Sequence, residues 1–102
     1  MGCVDFAYLE SYTAGDRQII AEVLNLFQGQ AALWATYLSN PGDDWRDLAH
    51  TIKGAARGIG AQTLGDLADR VEQGASDQVP ALLAGLGDVL TDIESYLRRI
   101  QV

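Results

Sequence analysis

Apolar residues recur every three or four positions through most of this chain, and no stretch sustains a period of two. That rhythm matches the turn of an α-helix and excludes half-buried β-strands, so it restricts the fold to helices packed on helices. Abundant Leu and Ala with sparse β-branched residues favour the same state. Turn-forming clusters at Gly15-Asp16, Asn40-Pro41-Gly42-Asp43, Gly58-Ile59-Gly60 and Gly74-Ala75-Ser76-Asp77 cut the pattern into five segments.

The first segment, Asp5 to Thr13, is short and puts Phe6, Leu9 and Tyr12 on one side. The second, from about Asp16 to Leu38, carries the stripe Ile20, Val23, Leu24, Phe27, Ala31, Trp34 and Leu38, with Gly29 expected to loosen its middle. The third runs from about Asp43 to Arg57, with Asp43 and Asp44 placed to cap it and to complement its dipole, and Gly58 expected to end it. The fourth, about Ala61 to Gln73, turns Leu64, Leu67, Ala68 and Val71 inward and stops at Gly74. The fifth starts at Pro80, buries Leu82, Leu83, Leu86, Val89, Leu90, Ile93, Leu97 and Ile100, and ends beside Arg98 and Arg99. Four substantial helices with short connections predict an all-α, antiparallel up-down four-helix bundle. The short extra N-terminal helix is expected to cap one end, and residues 1–102 to form a single domain.

Charge and cysteine use remove several functions. Seven Lys and Arg against 14 Asp and Glu give a net charge of −7, unsuited to nucleic-acid backbones or to membrane-surface binding. No apolar run reaches the ~18 residues of a membrane span and no leader pattern opens the chain, so a soluble, cytoplasmic protein is expected. One cysteine, Cys3, and one histidine, His50, exclude an intrachain disulfide, a Cys/His zinc cluster and an HExxH site. Cys3 reads as incidental, and Trp34 and Trp45 as packing residues.

The third segment carries the chemistry. On a helical wheel with His50 at zero, Leu48, Ile52, Ala55, Ala56 and Ile59 fall between roughly 140° and 240° and form the core face. Arg46, Lys53 and Arg57 fall within roughly 60° of His50, placing the only imidazole on the solvent side with three of seven cations. Gly54 lies one turn after His50 on that face, where helix-interior glycine costs about 1 kcal/mol relative to Ala. Two explanations fit: clearance for a bulky group approaching the imidazole, or a close helix–helix contact. Lys53 is a surface neighbour of His50 and could hold an anion placed on the ring. Nucleophile, cation and cleared space together suit phosphoryl transfer to histidine. A plain solvated face is the competing reading, in which Asp47 pairs with Arg46 or Lys53.

The run Ala49-His50-Thr51-Ile52-Lys53-Gly54-Ala55-Ala56-Arg57-Gly58-Ile59-Gly60 resembles the signature of histidine-containing phosphotransfer (HPt) domains. Family-like features are His50, the apolar Ile52, Lys53-Gly54, the small Ala55-Ala56 and Ile59-Gly60; Leu64, Leu67 and Glu72 fit the helix that follows. The resemblance implies a carrier in His–Asp phosphorelays. His50 would take a phosphoryl group from a response-regulator receiver aspartate and pass it to a second receiver. Lys53 would steady the phosphoryl charge, and Gly54 would give steric clearance. Arg46, Asp47, Arg57 and Gly58 are the expected partner-docking residues; Arg57 and Gly58 depart from the usual small or polar residues. Receiver domains and a hybrid histidine kinase are the implied partners, with no cofactor or metal site in this chain because Mg²⁺ comes from the receiver. A monomer without independent catalysis is expected. Alternatives are the phosphoacceptor domain of a larger, chemotaxis-type kinase, or an unphosphorylated receiver-binding adaptor. An enzyme using His50 as general base lacks a second catalytic group and a pocket on a convex bundle face.

Overall fold

A computed structural model describes residues 3–39 and 44–100. Its elements are α1 (Phe6–Tyr12), α2 (Arg17–Ser39), α3 (Trp45–Gly58), α4 (Gln62–Glu72) and α5 (Val79–Ile100), with a 3₁₀ turn at Ser76–Gln78 leading into α5. The described residues contain no strand. Helix α2 packs on α3 and α5, and α4 packs on α3 and α5, so the four long helices close a ring around one core.

The residues at the helix ends explain where the helices stop. Asp16 accepts the Gln18 and Ile19 amides at 3.0 and 3.2 Å, holding the first turn of α2. Asp5 does the same for α1 through the Tyr8 amide. Asp44 sits at the cap position of α3 but makes no side-chain capping bond, contrary to the sequence expectation. Asp43 lies outside the described residues. Gly74, at φ +114°, turns the chain out of α4.

Helix α2 runs unbroken through Gly29, because a single glycine lowers helix propensity without removing a hydrogen bond. As expected, α3 ends at Gly58; the left-handed turn follows at Gly60, φ +87°. Helix α5 starts one residue before Pro80, a first-turn position where the missing N–H costs nothing. Tyr12 is exposed instead of facing the core.

The buried stripe of α2 consists of Ile20, Leu24, Phe27, Ala31, Trp34 and Leu38. Opposite it, Ala49, Ile52 and Ala56 of α3, Leu64, Ala68 and Val71 of α4, and Leu82, Leu86, Val89 and Ile93 of α5 complete the core. Helix α1 is fastened to one end of this ring. The Asp5 amide donates to the Gly60 carbonyl at 2.9 Å, and Phe6 stacks on Tyr96 with ring centroids 4.0 Å apart. The buried Tyr96 also donates its hydroxyl to Glu10 at 2.9 Å. Just before α1, Asp92 accepts the Cys3 and Val4 amides.

Candidate functional site

Ala49, Ile52 and Ala56 are fully buried, so α3 turns the opposite side of its surface outward, and His50 sits there with 68% of its side chain exposed. Helix α4 runs beside this face. Its Asp69 and Glu72, three residues apart, line up toward α3 because Leu64, Ala68 and Val71 are held in the core.

The result is a four-residue charged cluster. His50 Nδ1 lies 2.6 Å from Glu72 Oε2. Lys53 Nζ lies 2.5 Å from Glu72 Oε1 and 3.3 Å from Asp69 Oδ1. Glu72 Oε1 is shut off from water and has no conventionally angled hydrogen bond; its counterion is the Lys53 ammonium. That ammonium chiefly holds the Glu72 carboxyl below its usual range; burial opposes it, and the His50 contact adds a lesser lowering. In turn the Glu72 carboxylate raises the Lys53 ammonium above its usual value, again against burial.

Glu72 is therefore ionised near neutrality and can only accept a hydrogen bond. Its 2.6 Å contact assigns the proton of a neutral His50 ring to Nδ1. In that tautomer Nε2 is left with a free lone pair.

The remaining expected site residues occupy mixed positions. A Cβ on Gly54 would meet nothing within 4 Å, which removes the helix-contact explanation and leaves open space beside the imidazole. Lys53 is not the solvated cation the wheel suggests: only 19% of its side chain is exposed, and its partners come from α4 rather than from Asp47. Among the described residues Asp47 forms no ion pair; its carbonyl accepts the Thr51 hydroxyl. Arg46 folds over the Trp45 ring, 5.0 Å from its centroid. Arg57 lies down across α4, with its Cγ only 2.9 Å from where a Cβ of Gly65 would be, and reaches Asp66 at 3.5 Å. Gly58 is exposed, with open space around its Cα.

Glu72 and Asp69 are the members of this cluster that the wheel of the third segment cannot supply. Their sequence signal is the pair of acids three apart on the polar side of the fourth segment, which acquires meaning only once α4 is known to lie against α3.

The fold and site define an all-helical module that presents one exposed, carboxylate-paired imidazole beside open space. Residues 17–96 match the family model described as the Hpt domain, and the chain belongs to that family. Among solved structures it is similar to the crystal structure of the histidine phosphotransferase ShpA from Caulobacter crescentus. The two share 46% identity with a TM-score of 0.87, covering 96% of this chain and 93% of that one. A search of curated proteins finds no match. No described helix is long and apolar enough to cross a membrane.

Proposed function

We propose that this protein is a histidine phosphotransfer intermediate of a phosphorelay and that His50 is its phosphoacceptor. The observation that carries the reading is the 2.6 Å bond from His50 Nδ1 to Glu72, which leaves Nε2 free on the exposed face. We read the ring of α2 to α5 as an antiparallel up-down four-helix bundle, with α1 as its end cap.

In the transfer step the Nε2 lone pair attacks the phosphorus of a receiver's aspartyl phosphate. A P–N bond forms as the P–O bond to the aspartate breaks, and the aspartate leaves as carboxylate. No proton need leave the ring, because Nδ1–H stays on Glu72. The ring becomes a phosphoryl-imidazolium, whose positive charge is stabilised by the Glu72 carboxylate behind it. Reversal of the same step delivers the group to a second aspartate. Lys53 holds Glu72 ionised and adds positive potential beside the transferring group. Gly54 leaves room for the receiver's active-site rim. Arg46, Asp47, Arg57 and Gly58 flank this face as the docking surroundings. The Mg²⁺ that the reaction requires is assigned to the receiver, and this chain acts as a carrier without turnover of its own.

The test is incubation with a phosphorylated receiver domain, followed by addition of a second, unphosphorylated one. Phosphoryl groups should appear on this protein and then on the second receiver. Failure to accept phosphate from any receiver of the same organism would refute the reading.

A further inference from the structure

Three of the seven cations are engaged in ion pairs: Lys53 with Glu72 and Asp69, Arg57 with Asp66, and Arg98 with Glu94. Arg99 follows Arg98 directly but points elsewhere. Its guanidinium carbon lies 5.5 Å from the centre of the Tyr96 ring, on which Phe6 of α1 stacks. Arg17 stands in the first turn of α2, where the helix dipole disfavours a cation. Among the described residues neither Arg17 nor Arg99 has an ion-pair partner. Both border one cleft of about 320 Å³ at the junction of α1, α2 and α5. The buried Ile20 and half-buried Ile100 form its floor, and the exposed Arg17, Arg99 and Glu10 form its rim. Helices α3 and α4, which carry the His50 cluster, contribute no lining residue.

We propose that this cleft binds a small organic monocarboxylate with an apolar body. The planar guanidinium fork matches a carboxylate at two points, and these two forks have no counterion within the protein. They also converge. Burial and the Glu10 bond raise the pKa of the Tyr96 hydroxyl, and Arg99 and Arg17 each oppose that rise, so both cations act on the same phenol. Charge then sets the ligand. Two cations against the Glu10 carboxylate leave the cleft with one net positive charge. Glu10 already accepts the Tyr96 hydroxyl at 2.9 Å and repels a second negative charge, which disfavours a phosphate monoester. A monocarboxylate is the matching anion.

The floor sets the rest of the molecule. Ile20 and Ile100 offer an apolar surface that a ring or short hydrocarbon body covers, while the rim arginines hold the charged end. The volume lies at the lower end of the roughly 300–1,000 Å³ of ligand pockets, which suits a metabolite rather than a polymer. In a chain of net charge −7 the surrounding field repels anions, so binding requires direct contact with both arginines. The occupied cleft ties α1, α2 and α5 together, adding to the Phe6–Tyr96 stack and the Tyr96–Glu10 bond that fasten the end cap. The site stands apart from His50, and its test does not depend on phosphotransfer.

Titration with benzoate at constant ionic strength, followed by ¹H–¹⁵N NMR, tests this. Saturable shifts should centre on the amides of Gly15, Arg17 and Ile100 and on Arg99 Nε, with a Kd of about 1 mM. Benzyl alcohol, which lacks the charge, and acetate, which lacks the ring, should each bind about tenfold more weakly or worse. Arg17→Gln and Arg99→Gln, with unchanged helix content by circular dichroism, should each lose about tenfold in affinity. Arg70→Gln removes another cation without an ion pair, outside the cleft, and should bind benzoate normally. Should Arg99→Gln lose helix content with its Tyr96 contact, Arg17→Gln decides alone, and benzoate affinity retained there overturns the proposal. So does the absence of saturable shifts, or equal binding of benzyl alcohol or acetate. Tighter binding of inorganic phosphate than of benzoate, or an equal loss in Arg70→Gln, overturns it too, since either reduces the cleft to a spot of positive potential. Shifts centred on His50 and Lys53 place the anion at the other site and refute it as well.

Discussion

Replacing Gly54 separates the fold's needs from those of the site. The residue lies mid-helix in α3, outside the left-handed backbone region, and a Cβ there touches nothing within 4 Å. Gly54→Ala therefore adds helix propensity without a clash, worth about 0.8–1 kcal/mol. For a domain of this size that corresponds to a rise of about 4–8 °C in Tm. Gln is nearly as good a helix former as Ala, so Gly54→Gln should also melt above the wild type. Its side chain, however, stands one turn, or about 6 Å along the axis, from His50, in the space a receiver must enter. Losing about 1.4 kcal/mol of transition-state stabilisation slows transfer tenfold, and a long side chain in that path should do at least this. Gly87→Gln on α5 is the control, since that glycine also faces open space. It should gain similar stability and transfer normally. The assays are thermal melting by circular dichroism and single-turnover transfer from a phosphorylated receiver. A lower Tm for Gly54→Gln means the glycine is a packing contact; unimpaired transfer means that clearance is not its purpose.

Three further outcomes follow from the same geometry. Glu72 is held below its ordinary value of 4.5, so its stabilising contribution is complete above that pH and is lost as pH falls through the depressed folded value. The stability difference between wild type and Glu72→Gln should accordingly shrink below about pH 4.5 in Tm–pH profiles, and parallel profiles would contradict the pairing. Lys53→Ala should both slow transfer and lower the Tm, because it strips Glu72 Oε1 of its counterion, and Lys53→Arg should recover part of the stability; an unchanged melt would show the pair contributes nothing. Gly60→Ala should destabilise by about 2 kcal/mol or more in urea titrations, since φ is +87° and the new Cβ falls 2.7 Å from the Asp5 carbonyl oxygen.

The helices and their inward faces are legible in the sequence because burial of an apolar stripe is a local, periodic signal. The stripes of α2 and α4 appear there nearly residue for residue. In α5 the expected Leu83, Leu90, Leu97 and Ile100 are only half-buried, while Val79 and Tyr96 are buried without having been expected. The Tyr96 hydroxyl marks it as polar, yet its ring is buried because Glu10 and Phe6 of α1 partner both ends of the side chain. Of the site, His50 and Gly54 stand out because each is unusual for its position. Lys53 misleads, since a wheel of α3 alone cannot show that α4 brings two carboxylates to its ammonium. Arg57 misleads likewise, because the missing side chain of Gly65 lets it lie flat against α4.

The central claim is that Nε2 of His50 carries the phosphoryl group while Nδ1 stays bonded to Glu72. Two-dimensional ³¹P- and ¹⁵N-edited NMR of the protein phosphorylated by a receiver reads this directly. The account requires a single acid-labile phosphohistidine whose phosphorus couples to Nε2, with no label on His50→Gln. Phosphate on His50→Gln, or coupling to Nδ1, would contradict it.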